Sequence, residues 1–166
     1  MDTSDIFTFL LILFMPIFVG FIGINILVQN SKINEINAKI KGLADNTLEM
    51  TPEEFMKFRK ASFGGRGRPS YALTKNFAGV YILFNKTKNM YYVGQGKEVL
   101  NRVNQHFTGK GNGDVYADYK YGDEFKIKMI ALENSGFSSL NELERHTISV
   151  YNAYSKGYNK TRGNKG

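Results

Sequence analysis

Few side chains in this 166-residue chain are able to do chemistry. There is no cysteine, which excludes disulfide scaffolds, thiolate zinc sites and cysteine nucleophiles. The two histidines, His106 and His146, are too few for an all-imidazole metal site. What remains is oxygen and cation chemistry, open to 10 tyrosines, 15 acids and 22 lysines and arginines, among them the phenols of Tyr81 and Tyr92, the guanidinium of Arg102 and the carboxylate of Glu144, with the imidazole of His106. Hydrolysis of a phosphodiester needs an activated water, a cation against the extra charge on pentacoordinate phosphorus, and help for the departing oxygen. One carboxylate, one guanidinium and a tyrosine pair are a minimal set for that. Taken singly, each has a plainer reading. Aromatic rings are common in strands, Arg102 and Glu144 fit surface helix charges, and His106 near a helix end complements the dipole.

Local patterns say which elements carry these residues. Phe77 to Asn85, FAGVYILFN, is β-branched and aromatic, and MYYVG follows after the polar Lys86-Thr87-Lys88-Asn89, which predicts a β-hairpin. Gly94-Gln95-Gly96 ends its second strand. Val99, Val103 and Phe107, with Leu100 alongside, predict an amphipathic helix from about Glu98 to Phe107. Thr108 to Asp114 is a glycine-rich loop, and the stretch holding Tyr116, Tyr119 and Tyr121 reads equally as loop or short helix. Those rings either stack on bases or pack on the sheet, and packing is favoured. FKIKMIAL, Phe125 to Leu132, reads as a third strand. Ser139 with Glu142 three residues later is a capping box that opens a helix with Leu140, Leu143, Ile148, Val150 and Tyr151 on its apolar faces, ending before Gly157.

Gly79-Val80-Tyr81 and Tyr92-Val93-Gly94 on the two strands of the hairpin resemble the paired signature of the GIY-YIG nuclease superfamily. Later positions extend the resemblance: Arg102 ten residues after Tyr92, His106 one turn further, Glu144 followed four positions later by Ile148, and Gly157-Tyr158-Asn159 closing the region. It covers about residues 77 to 160, and valine for isoleucine in both tripeptides keeps a β-branched residue in each strand. The resemblance implies an α+β fold, a small three-stranded antiparallel sheet flanked by helices, and a metal-dependent endonuclease.

It also implies roles. Glu144 is the sole protein ligand of one Mg²⁺ or Mn²⁺, an ion that keeps most of its waters. Arg102 holds the scissile phosphate. Tyr81 is the general base, directly or by orienting the water, and needs nearby positive charge because a free phenol titrates near about 10. Tyr92 and His106 orient the water or relay its proton, and Asn159 braces the site by hydrogen bonds. Glu142 is the rival ligand, but its place in the cap and the interval from Glu144 to Asn159 favour Glu144.

The N-terminus is of another kind. Ile6 to Val28 is a 23-residue run without a formal charge, which as a helix reaches about 34 Å. Pro16, Gly20, Gly23 and Asn25 do not defeat a transmembrane helix, and the acidic start and missing small-x-small site argue against a cleaved signal. Lys32, Lys39 and Lys41 follow the run and no base precedes it, so the positive-inside rule puts the N-terminus outside and the remainder in the cytoplasm. Ile33, Ile36, Ile40 and Leu43 form one helical stripe, which either packs on its own domain or forms a weak parallel coiled-coil homodimer. Thr51-Pro52-Glu53-Glu54 starts a further helix to about Lys60, and Gly64 to Pro69 is a basic, glycine-rich linker. Three segments result: a transmembrane helix in 1–30, a juxtamembrane helix and linker in 31–76, and the nuclease-like domain in 77–166.

Net charge is +7, and since 1–28 holds only Asp2 and Asp5, the rest carries 22 bases against 13 acids. That surplus suits a polyanion, nucleic acid or anionic lipid. Arg66, Arg68, Lys97, Lys110, Lys160 and Arg162 are the candidate nucleic-acid contacts. The expected protein is a single-pass cell-membrane endonuclease cutting DNA, with RNA left open, and directed at incoming phage or conjugative DNA. The alternatives are a catalytically inert nucleic-acid-binding membrane protein and an interaction protein binding anionic lipid.

Overall fold

The computed structural model describes residues 3–61 and 75–164, with the backbone alone given for 3–13, 16 and 17. The chain divides into two units, Met1–Ala38 and Lys39–Gly166. The first is helical: α1 runs Thr3–Asp45, and its last turns, from Lys39 on, belong to the second unit.

Among the described residues the expected transmembrane span is not found, and no helix is long and apolar enough to cross a membrane. Part of the apolar run, 6–13 with 16 and 17, lies outside the described side chains. The linker 64–69, with Arg66 and Arg68, lies outside the described residues altogether.

The second unit is built on an antiparallel sheet of three strands in the order β2-β1-β3, with β1 Gly79–Asn85, β2 Met90–Gly96 and β3 Phe125–Ala131. Each strand is legible as an apolar run between turn residues, and the structure places them within two residues of expectation. The central strand β1 is buried on both faces, so alternate residues feed two cores. Tyr81 and Leu83 face one, shared with Val99, Leu100, Val103 and Phe107 of α3 (Val99–Phe107). Val80 and Ile82 face the other, shared with Leu143 and Ile148 of α5 (Leu140–Val150) and with Ala44 of α1. The sheet is thus a middle layer, with α3 on one side and α5 on the other.

The Ile33–Leu43 stripe resolves in favour of the domain itself. Ile40 and Ala44 are fully buried and Leu43 packs on the second core, while Ile33 is exposed. With Ile40 and Leu43 taken up, too little stripe remains for a coiled-coil homodimer, which needs sustained heptads. Lys39 anchors the same turn, its Nζ donating to Gly136 O at 2.8 Å and lying over the Phe137 ring.

Helix α2, Pro52–Lys60, opens with the expected capping box: Thr51 Oγ1 accepts from Glu54 N–H, and Glu54 Oε2 accepts from Thr51 N–H. The region left open between loop and helix is α4, Gly113–Lys120, because Asn112 caps it by accepting from the N–H groups of Asp114 and Val115. Tyr119 packs edge-on against Phe107, as favoured from sequence, whereas Tyr121 is exposed. Glu142 differs from expectation in one detail. Ser139 Oγ accepts from its N–H, but its carboxylate takes Ser138 N–H and Oγ–H, one residue before the cap.

Candidate active site

The site follows from the register of β1 on β2. Tyr81 stands directly opposite Gly94. A Cβ on Gly94 would fall 2.3 Å from the Tyr81 hydroxyl oxygen, so only glycine leaves the phenol room to lie across the neighbouring strand. Two residues on, on the same face, a Cβ on Gly96 would come within 2.7 Å of Arg102 Cγ. One bare strand face therefore seats the tyrosine and then the arginine that α3 delivers.

His106 completes that side. It is buried on α3, one turn beyond Arg102, with its ring 4.8 Å from Tyr92 and 5.4 Å from Tyr81, centroid to centroid. Its Nδ1 accepts from Asn112 N–H at 2.9 Å, and its Nε2 lies 2.9 Å from Tyr81 Oη. Burial, with the Arg102 charge adding to it, pulls the imidazole pKa down to about 4, so the ring is neutral at pH 7. A neutral ring with Nδ1 occupied as acceptor carries its proton on Nε2. His106 thus donates to Tyr81 Oη, and the Asn112 amide fixes the tautomer.

Glu144 comes from the opposite layer. It lies on α5, is 9% exposed, and accepts from Gln95 Nε2 at 3.0 Å. Gln95 also donates to Asn141 Oδ1. Because Gln95 lies between Gly94 and Gly96, it points to the face opposite theirs, toward α5. The site therefore wraps the last residues of edge strand β2, with the phenols, guanidinium and imidazole on one side and the carboxylate on the other.

Charges from both sides of the strand act on the phenols. Burial raises both phenol pKa values; Glu144 pushes both further up and Arg102 pulls both down. Burial raises the Glu144 carboxyl, opposed by the Gln95 hydrogen bond and by the Asn164 backbone. Arg102 does not outweigh desolvation at Tyr81, so the phenol keeps its proton at neutral pH.

Asn159 sits behind these groups. Its amide accepts from Val93 N–H at 2.9 Å and donates to Val93 O at 2.7 Å, replacing a strand partner along the outer edge of β2 between Tyr92 and Gly94. Tyr158 N–H donates to Tyr91 O on the same edge. Of the remaining expected contacts, Lys97, Lys110 and Arg162 are exposed, and Lys160 is exposed but paired with Asp114 at 2.7 Å. Gln95, Gly96 and Asn112 were missed from sequence. The Gly-x-Gly spacing, which puts two bare residues on one strand face, was the available signal for Gly96.

A lone carboxylate suits only an ion that takes its other ligands from water and phosphate. Among the described residues no group of three or more His, Cys, Asp or Glu could hold a metal. Glu144, with Gln95 on one oxygen, fits a Mg²⁺-like ion that accepts one protein carboxylate.

These groups are ones that a phosphodiester hydrolase, a nuclease, can use. The chain belongs to the GIY-YIG family: the model of the GIY-YIG catalytic domain matches residues 77–159. Nucleases of the family generally use divalent metal ions. Among solved structures the chain is similar to the catalytic domain of the intron endonuclease I-TevI, in a glutamate-to-alanine mutant form, at 24% identity and TM-score 0.41 over 54% of this chain and 98% of that one. No curated protein matches.

Two outcomes test the packing. Gly96→Ala displaces Arg102 and lowers DNA cleavage by roughly 10²-fold, as an ångström-scale misplacement does; adding Arg102→Ala to it costs little more, read as a double-mutant cycle on cleavage rate. Since the folded His106 pKa lies below its unfolded value, the unfolded chain binds the extra proton between about pH 6.5 and 4. Stability conferred by the neutral ring is complete above that window and is lost as pH falls through it, by about 3 kcal/mol in all. Denaturant melts across this range show a correspondingly flatter profile in His106→Gln.

Proposed function

We propose that the chain is a DNA endonuclease acting through Tyr81, Tyr92, Arg102, His106 and Glu144, with Asn159 as a positioning residue. The observation that supports it most is the packing of Tyr81 across Gly94 and of Arg102 against Gly96 on one strand face, with His106 Nε2 2.9 Å from Tyr81 Oη. Arg102, exposed and seated on Gly96, holds the scissile phosphate. Tyr81 orients the attacking water, since its phenol is protonated at pH 7 and its oxygen already accepts from His106. His106 serves as a fixed donor to that oxygen. Taking a proton at Nδ1 would break its bond from Asn112 N–H. Glu144 holds Mg²⁺ or Mn²⁺, which when bound neutralises charge building on the phosphoryl oxygens.

The N-terminal helix gives the enzyme an address in this reading. Phe18, Phe21, Ile24 and Leu27 are exposed along α1, and the apolar run continues from Ile6. A single-pass anchor with the catalytic unit on the cytoplasmic side follows from the basic flank. Tethering concentrates the nuclease where foreign DNA enters, which suits defence against phage or conjugative DNA.

The test is supercoiled plasmid incubated with the full-length chain in detergent. Cleavage requires Mg²⁺ or Mn²⁺, stops with EDTA, and falls at least about 10²-fold in Tyr81→Phe and Glu144→Ala. Equal cleavage by wild type and both variants contradicts the assignment. In cells, the wild type stays in the membrane fraction after alkaline washing and restricts phage plating, and deletion of residues 1 to 28 removes both properties.

A further inference from the structure

A cleft of about 400 Å³ opens along α5, with Arg145, Arg162, Ser149 and Asn152 in its lining together with the apolar Ile148 and the Tyr154 ring. No lining residue is acidic. Neither guanidinium has a carboxylate within ion-pair distance among the described residues. Arg162 is not loose: it lies over the Tyr154 ring, 5.4 Å to the centroid.

The C-terminal segment builds this cleft and joins it to the catalytic side. Gly163 crosses α5 at Arg145, where a Cβ would fall 3.2 Å from Arg145 Cα, and its φ of +95° is a backbone conformation that side chains disfavour. That crossing brings Arg162 into the cleft with Arg145. The next residue, Asn164, offers its backbone to Glu144. Three consecutive residues therefore link the arginine cleft to the carboxylate of the candidate active site, and Arg145 itself follows Glu144 on the helix.

We propose that the Arg145–Arg162 cleft binds the sugar-phosphate backbone of the nucleic acid substrate, beside the phosphate being cut, and so sets how the strand enters the active site. The proposal rests on the nuclease reading above for the identity of its ligand. Two guanidinium forks with hydroxyl and amide donors between them suit consecutive phosphodiesters. A phosphate held there extends the strand past Glu144 without any sequence preference.

The experiment is equilibrium binding of a fluorescent DNA duplex to the full-length chain in detergent and EDTA, titrated between roughly 50 and 200 mM salt. Loss of two phosphate contacts lowers the slope of log K against log salt by about 2, since each contributes about 0.9. Arg145→Gln/Arg162→Gln should show that drop, with at least about tenfold weaker binding at the low-salt end. Arg145→Lys/Arg162→Lys, which keeps both charges, should retain the wild-type slope. An unchanged slope in the glutamine pair overturns the proposal, as does a loss of binding to phosphatidylglycerol vesicles with duplex binding intact, which would make the cleft a lipid site. Plasmid cleavage by the wild type separates the two readings. Cleavage with an unchanged slope removes the cleft alone; no cleavage with a lowered slope removes the catalytic assignment and keeps the cleft.

Discussion

The phenol of Tyr81 occupies space that a side chain at Gly94 would fill, and the site is arranged around that substitution of ring for Cβ. Antiparallel register puts the two residues opposite each other, and the missing Cβ lets a large polar ring lie across the strand inside a packed core. Once there, the hydroxyl is buried and needs a partner, which His106 supplies. His106 in turn can donate only because Asn112 N–H holds its other nitrogen. Each link fixes the next, so the geometry of the phenol is set by backbone packing rather than by surface side chains.

The edge strand carries a second consequence. β2 would leave its outer backbone groups unpaired, but Tyr158 and Asn159 bond to it from the C-terminal segment. The same segment goes on to reach Arg145 and Glu144. Closing the sheet edge and positioning the carboxylate are thus one structural act. It explains why a tripeptide near the C-terminus belongs with a hairpin some 60 residues earlier, a pairing set by tertiary contact rather than by local preference.

Legibility followed the range of the interactions. The hairpin, the α3 helix and the capping box at Thr51 rest on neighbours within a turn or two, and period and cap chemistry expose them in the sequence. Those elements place Tyr81, Tyr92, Arg102 and His106, but their choice as site residues, like that of Glu144, rested on resemblance. Nothing local separates Glu144 from Glu142, whereas the folded chain ties Glu142 to Ser138 and turns Glu144 to Gln95. Gln95, Asn112 and the crossing at Gly163 matter only through partners distant in sequence or through a backbone amide, which composition and spacing do not reveal. The stripe ending at Leu43 was legible as a helix face, but the partner of Leu43, the second core, required the fold.

The most direct test is paramagnetic broadening by Mn²⁺ in the full-length chain with ¹³C-labelled tyrosine rings. If Glu144 holds the ion against the two phenols, substoichiometric Mn²⁺ broadens the ring signals of Tyr81 and Tyr92 before that of exposed Tyr121, and Glu144→Gln abolishes the difference. Signals from Tyr81 and Tyr92 that stay as sharp as that of Tyr121, or that broaden equally in Glu144→Gln, would contradict a single site shared by the two layers.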